Sequence, residues 1–191
     1  MALTQNAEWA ALMRRFRNHG IDSDHRVRQA KGTYAYDMVE LGYNYRLPDV
    51  QCALGIAQVA RLAHWVKRRQ QVAAQYDERL RGLEFVTPLV TRADRTNAHH
   101  LYVVRLNLNA LKIDRARAFA HLRERGIGAN IHYSPVYLHS FYRERFGYGP
   151  GLCPIAEAAY EDILTLPMFP ALTEADVDRV VAALCDLPQL R

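Results

Sequence analysis

Between Pro48 and Gly82 the sequence meets one helix-weakening residue, Gly55, and this long stretch constrains everything around it. Pro48 stands where a helix tolerates proline, in the first turn, because the missing N–H has no intrahelical partner there. Behind it Val50, Ala53, Leu54 and Ala57, then Val66, Ala73, Tyr76 and Leu80, recur at helical spacing. A continuous helix over residues 48–81 is roughly 50 Å long at 1.5 Å per residue. Such a rod exceeds the needs of a small domain and suits a bridge between two lobes.

On either side the pattern changes. Residues 6–19 predict a helix, with Trp9, Leu12, Met13 and Phe16 on one face and Gly20 as its stop. Residues 21–45 are polar and then tyrosine-rich, with Tyr34, Tyr36, Tyr43 and Tyr45, and read as an ordered loop. After Gly82, strands are expected at 85–87, at 101–108 (LYVVRLNL) and at 128–133 (GANIHY). Helices are expected at 114–125, with Asp114 as N-cap and Gly126 as C-cap, at 154–164, and at 173–186. The last is opened by Thr173, with Asp176 completing a near-capping box. The expectation is an α/β chain, a long linking helix plus a small α+β domain with helices on one face of two or three strands.

Of 191 residues half are apolar and 24% are charged, which excludes a disordered or fibrous chain. No run reaches the ~18 apolar residues of a spanning helix, and MALTQNAEWA lacks a basic patch followed by an apolar core. Neither a membrane nor a secretory leader is therefore expected. Cys52, Cys153 and Cys185 lie far apart without a CxxC pair, which predicts no zinc site and no redox dithiol. Three unpaired thiols suit a reducing, cytoplasmic compartment, each as a small buried hydrophobe. The net charge of +5 rests on arginine, since only Lys31, Lys67 and Lys112 are lysine. Guanidinium forks suit phosphate, but the arginines are scattered and read first as compositional bias. With no recognisable motif or aromatic platform beside them, no nucleic-acid partner is expected.

Two segments place polar groups where a ligand could meet them. His132 and Tyr133 follow the GANIHY pattern before Ser134 and Pro135, so His132 is either a ligand contact or a histidine satisfied locally. Asn44 and Arg46, in Gly42-Tyr43-Asn44-Tyr45-Arg46, precede the long helix. Both could donate to a phosphate or carboxylate, or the tyrosine-rich loop could simply be packing. His99-His100 has no third ligand at zinc spacing, so no metal is expected. No Gly-rich phosphate loop, GxSxG or HExxH is present.

Taken in order, these segments resemble the DegT/DnrJ/EryC1/StrS aminotransferases. The likeness runs through Arg14–Gly20 (RRFRNHG), Met38–Gln58 (MVELGYNYRLPDVQCALGIAQ), and Arg68-Arg69 to Tyr76. It continues in His99–Val104 (HHLYVV), Gly126–Pro135 (GIGANIHYSP), Ile163–Pro170 (ILTLPMFP) and the Thr173 helix. Within the family the GYNYRL, HLYVVR and IHYSPVYLHSFY segments are most similar to the pseudaminic acid branch. That branch aminates C4 of a UDP-linked 4-keto-6-deoxy-HexNAc sugar with glutamate as donor.

The resemblance implies the C-terminal portion of a pyridoxal 5'-phosphate (PLP) fold-type I aminotransferase. Residues 1–47 would be a remnant of the large cofactor domain and an interface loop, 48–82 the linking helix, and 83–191 the small domain. It also implies a homodimer with active sites at the subunit interface. Asn44 would reach the partner subunit's cofactor phosphate, and Arg46 would fix anionic groups nearby. Asn130, Ile131, His132 and Tyr133 would lie beside the sugar nucleotide. The family's Schiff-base lysine falls before Met1, and Lys31, Lys67 and Lys112 lack its glycine-rich continuation. No catalytic residue is thus assigned in this chain, and it is expected to be inactive alone. The alternative reading is a non-catalytic dimerisation or interaction module, or a relic of that family.

Overall fold

A computed structural model describes residues 2–190. The chain divides into two compact units, residues 1–60 and 61–191.

In the first unit, α1 (Ala7–Phe16) starts where the Asn6 side chain accepts the Trp9 N–H. It ends before the expected residue 19, because Asn18 turns into a bridge with Asn44 and His19 takes a positive φ. Ile21 bridges Met38 in the same way. The stretch read as loop contains a short helix, α2 (His25–Ala30), capped by Asp24 through the N–H groups of Arg26 and Val27. Two glycines permit the close approach of residues 16–21 to 38–45. A Cβ on Gly42 would stand 2.2 Å from the Gly20 nitrogen, and one on Gly20 would stand 1.7 Å from the Glu40 carbonyl oxygen. Gly20 also has φ of +69°, where a side chain is strained.

The expected long helix is present as α3 (Asp49–Leu80), 32 residues and about 48 Å of axis. The Pro48 carbonyl accepts the Cys52 N–H, so Pro48 sits at the cap. Burial divides this helix sharply. Val50, Leu54, Ile56, Val59 and Leu62 are all more than half exposed, whereas Val72, Ala73, Tyr76 and Leu80 are buried.

The second unit is built on a three-stranded antiparallel sheet, β1 (Val86–Pro88), β2 (Tyr102–Leu106) and β3 (Ile163–Leu166), in the order β1-β2-β3. Tyr102 pairs with Leu166 and Val104 with Leu164. Tyr102, Val104 and Leu106 point into the core while Arg105 points to solvent, the alternation of a sheet covered on one face. A helical turn, α4 (Leu108–Leu111), follows β2 where the strand pattern ran on to residue 108. Helix α5 (Arg115–Glu124) is capped by Asp114, and Gly126 follows it in the left-handed region. Helices α6 (Ser140–Phe146) and α7 (Pro154–Asp162) precede β3, and α8 (Glu174–Cys185) closes the domain. At α8 the Thr173–Asp176 capping box is complete. The core joins Tyr76 and Leu80 of α3 to Leu122 of α5, Leu164 and Leu166 of β3, and Val177, Val180 and Leu184 of α8.

Three expectations are corrected. GANIHY is not a strand: only Asn130 bridges Thr165, and the Ile131 N–H, on the side facing away from that bridge, bonds to the Asn130 side chain. The true third strand is Ile163–Leu166, where helix 154–164 was expected to finish. All three cysteines are exposed rather than buried. Cys52 lies in the uncovered part of α3, Cys153 precedes α7, and Cys185 falls outside the Val177–Val180–Leu184 stripe of α8. Among the described residues no helix is long and apolar enough to cross a membrane, and no cluster of metal-ligating side chains occurs.

Candidate functional site

The predicted residues fall into two groups, one in each unit. In the first, Gly42–Arg46 runs beside the end of α1, with the Tyr43 N–H donating to the Phe16 carbonyl at 2.7 Å and the Tyr45 N–H to the Arg17 carbonyl at 2.9 Å. Tyr43 and Tyr45 stack with centroids 5.1 Å apart, and Phe16 lies 5.2 Å from Tyr43. The rings pack against one another, and Asn44 and Arg46 lie exposed beside them.

The Arg46 Nε donates to Asn44 Oδ1 at 3.1 Å and Nη1 donates to Asn18 Oδ1 at 3.3 Å, while Nη2 lies 3.4 Å from His19 Nε2. None of these partners is a carboxylate. The guanidinium is held in place and, among the described residues, forms no salt bridge, a state suited to an incoming anion. Asn44 uses its carbonyl oxygen on Arg46, and among the described residues its Nδ2 donors are unclaimed. Arg46 also lines a cleft of about 780 Å3 with Arg14, Arg17, Arg26 and Arg28, the last lying 4.9 Å over the Tyr36 ring. Asn18 and His19 were not singled out from the sequence. Their signal was the RRFRNHG segment, whose role shows only once the chain has folded back.

The second group surrounds a cleft of about 510 Å3 in the small domain, lined by His100, Asn130, His132, Thr165, Phe169 and Arg179 among others. Here the proton positions follow from the bonding. Asn130 Oδ1 accepts the Ile131 N–H at 2.8 Å, which turns its amino group toward His132 Nε2, 3.3 Å away. Nε2 is therefore the acceptor, and the ring proton sits on Nδ1, 2.9 Å from Thr165 Oγ1. Thr165 is 4% exposed, and both its backbone groups are bonded to Asn130. Tyr133 stands edge-on to His132 at 4.6 Å and is exposed, while Ile131 turns toward the core. His132 is thus satisfied locally and also borders a cleft, so neither open reading of it excludes the other. Thr165 was missed as a site residue because its strand was missed.

The wall opposite is fixed from α3. Arg69 Nη1 lies within 3.2 Å of three carbonyls, those of His99, His100 and Met168. Arg68 donates to the carbonyls of Pro170 and Leu172, and the Tyr76 hydroxyl to that of Pro167. Burial pushes the phenols of Tyr76 and Tyr102 well above their ordinary value, and Tyr102 also donates to the Asp77 carboxylate. Burial lowers the His99 imidazole, opposed by Asp77. Lys31, Lys67 and Lys112 are all exposed, so none offers the desolvated amine that covalent cofactor attachment demands. The donors of Asn44 and Arg46, in contrast, fit a phosphate.

Over 185 residues this chain is 37% identical to an uncharacterised protein of Methanocaldococcus jannaschii, covering 96% of this chain and 48% of that one. It is similar in structure to DesV of S. venezuelae, with a TM-score of 0.82 at 29% identity over 99% of this chain and 46% of that one. PseC of Helicobacter pylori, an aminotransferase involved in the biosynthesis of pseudoaminic acid, gives a TM-score of 0.82 at 24% identity, covering 97% of this chain and 47% of that one. The chain thus spans about half the length of the proteins it matches, and its helices and small antiparallel sheet have the fold of the C-terminal portion of a PLP-type aminotransferase. The profile of the DegT/DnrJ/EryC1/StrS aminotransferase family matches residues 1–185, both polar clusters included, and the chain belongs to that family.

Proposed function

We propose that this chain is the C-terminal part of a PLP-dependent aminotransferase acting on a nucleotide-linked 4-keto-6-deoxy sugar of the UDP-HexNAc type, with glutamate as amino donor. The family match across residues 1–185 carries this reading. The likeness of the GYNYRL and HLYVVR segments supports a substrate of the pseudaminic acid branch. The fixed Arg46, which forms no salt bridge among the described residues, and the free Asn44 amide support a phosphate of the cofactor as the group bound in the first unit, across a homodimer interface. The cofactor, when bound, supplies the electron sink for the amino group's carbon.

This chain's own residues bind and orient. Asn44 and Arg46 donate N–H groups to anionic oxygens. In the small domain His132 keeps its proton on Nδ1, held by Thr165, and presents Nε2 as an acceptor. A sugar hydroxyl takes the place of the Asn130 amide there, and Tyr133 supplies an apolar edge beside the ring. His132 positions the sugar and carries no catalytic proton.

None of Lys31, Lys67 and Lys112 fits the lysine that bonds the cofactor, so these 191 residues should be inactive on their own. The test supplies the N-terminal half of a relative in trans, with PLP, glutamate and UDP-4-keto-6-deoxy-HexNAc, and measures amino-sugar formation. Activity only in the mixture, lowered about tenfold by Asn44→Ala, is expected from the loss of charge-assisted hydrogen bonding. Turnover by the chain alone, or none by a mixture shown to associate, overturns the proposal.

A further inference from the structure

One short stretch of α3 directs a series of side-chain donors at main-chain carbonyls. Gln70 Nε2 donates to the Asn97 carbonyl at 3.0 Å. Arg69 reaches the carbonyls of His99 and His100 in the segment entering β2 and that of Met168 in the segment leaving β3. Arg68 and Tyr76 hold Pro170, Leu172 and Pro167 of that second segment. Because Tyr102 pairs with Leu166, these two segments leave the same end of the sheet side by side. Among the described residues, Arg69 is the side chain that bonds to both.

The same two segments supply His100, Leu101, Pro167, Met168, Phe169 and Leu172 to the lining of the 510 Å3 cleft that contains His132. Among the described residues, the carbonyls of His99, His100 and Met168 accept no backbone N–H outside the strand ladders. Helix α3 at Arg69 is itself fixed one turn on, where Val72, Ala73 and Tyr76 are buried. A guanidinium anchored there turns two irregular segments into a wall of set spacing.

We infer that Arg69 is the positioning residue of this cleft, setting the separation of its two flanking segments and thereby its affinity for the nucleotide portion of the ligand. This rests on the reading of the cleft as the sugar-nucleotide site. Arg69 touches no ligand; it acts through the carbonyls of His99, His100 and Met168. Lysine keeps the charge and three donors at a shorter reach, so Arg69→Lys should retain part of the effect. Arg69→Met keeps the apolar stem and removes every donor.

The experiment uses the whole chain with UDP as probe and reads both amide hydrogen exchange and UDP affinity. In Arg69→Met, exchange should quicken at residues 97–101 and 167–172 while the amides of α5 and α8 keep wild-type protection. UDP binding should weaken about tenfold, the scale of a lost charged hydrogen-bond set, with Arg69→Lys intermediate. Unchanged exchange in the two segments, or equal loosening of α5 and α8, overturns the positioning role. Failure of the wild-type chain to bind UDP, with the segments behaving as described, overturns instead the assignment of the cleft to a nucleotide. If UDP binds and Arg69→Met loosens the segments without weakening it, the link from Arg69 to the ligand is overturned alone.

Discussion

His132 illustrates how one neighbour determines a proton's place. The Ile131 N–H orients the Asn130 amide, the amide makes His132 Nε2 an acceptor, and the proton is left on Nδ1 for Thr165. Thr165→Val, isosteric but without the hydroxyl, should leave that N–H unbonded beside a buried methyl and cost about 1–3 kcal/mol of stability. The check is a denaturant melt together with nitrogen chemical shifts of His132; a wild-type tautomer and unchanged midpoint would contradict the assignment. The tyrosines give a second outcome. Burial raises the Tyr76 and Tyr102 phenols in the folded chain, so the neutral form favours folding. A raised folded value means that its stabilisation is whole below the unfolded phenol value of about 10 and is lost as the pH climbs through and beyond it. The melting temperature should therefore hold between about pH 7 and 9 and fall steeply above about pH 10. Tyr102→Phe should flatten that fall.

At the scale of elements, the parts with a repeating pattern were legible in the sequence and the parts defined by long-range approach were not. Helix α3, the cap at Asp114 and the Thr173–Asp176 box follow from local periodicity and capping chemistry, and the structure has all of them. β3 was hidden because ILTL is short, apolar and continuous with a helical pattern, and its partner β2 lies far away in sequence. Asn130–Tyr133 could be picked as a candidate site from its residue types, but the strand assigned to it was wrong, since its pairing stops at the single Asn130–Thr165 bridge. The box at α8 is worth testing alone: Thr173→Ala should cost about 1 kcal/mol, read as a lowered melting midpoint. Asp176 is held below the usual carboxylate value, first by the Thr173 hydroxyl and then by the Thr173 N–H. Its contribution is present above the unfolded carboxylate value of about 3.9 and is lost as the pH falls through the lower folded value. Thr173→Ala should thus lower the midpoint at neutral pH and by less in strong acid.

The whole molecule carries a contradiction that association would resolve. The small domain has a full core, yet Trp9 and Leu12 of α1 and Val50, Leu54, Ile56, Val59 and Leu62 of α3 expose between 46% and 74% of their surface. Isolated exposed apolar residues are ordinary, but several on one helix indicate a surface meant to be covered. Leu54, Ile56 and Val59 could not be recognised as uncovered from periodicity alone, since the pattern of an amphipathic helix is the same whether its cover lies in the same chain or another. The chain spans about half the length of the relatives it matches, and a second copy of it would supply such a cover. Supplied alone, it should therefore self-associate, with light scattering giving a mass above the 21.9 kDa of one chain at micromolar concentration. Leu54→Glu should reduce the association without lowering the melting midpoint of the small domain, whose core begins at Val72. A monodisperse wild-type monomer would show that these side chains tolerate water. An association that Leu54→Glu leaves intact would place the contact elsewhere than on α3.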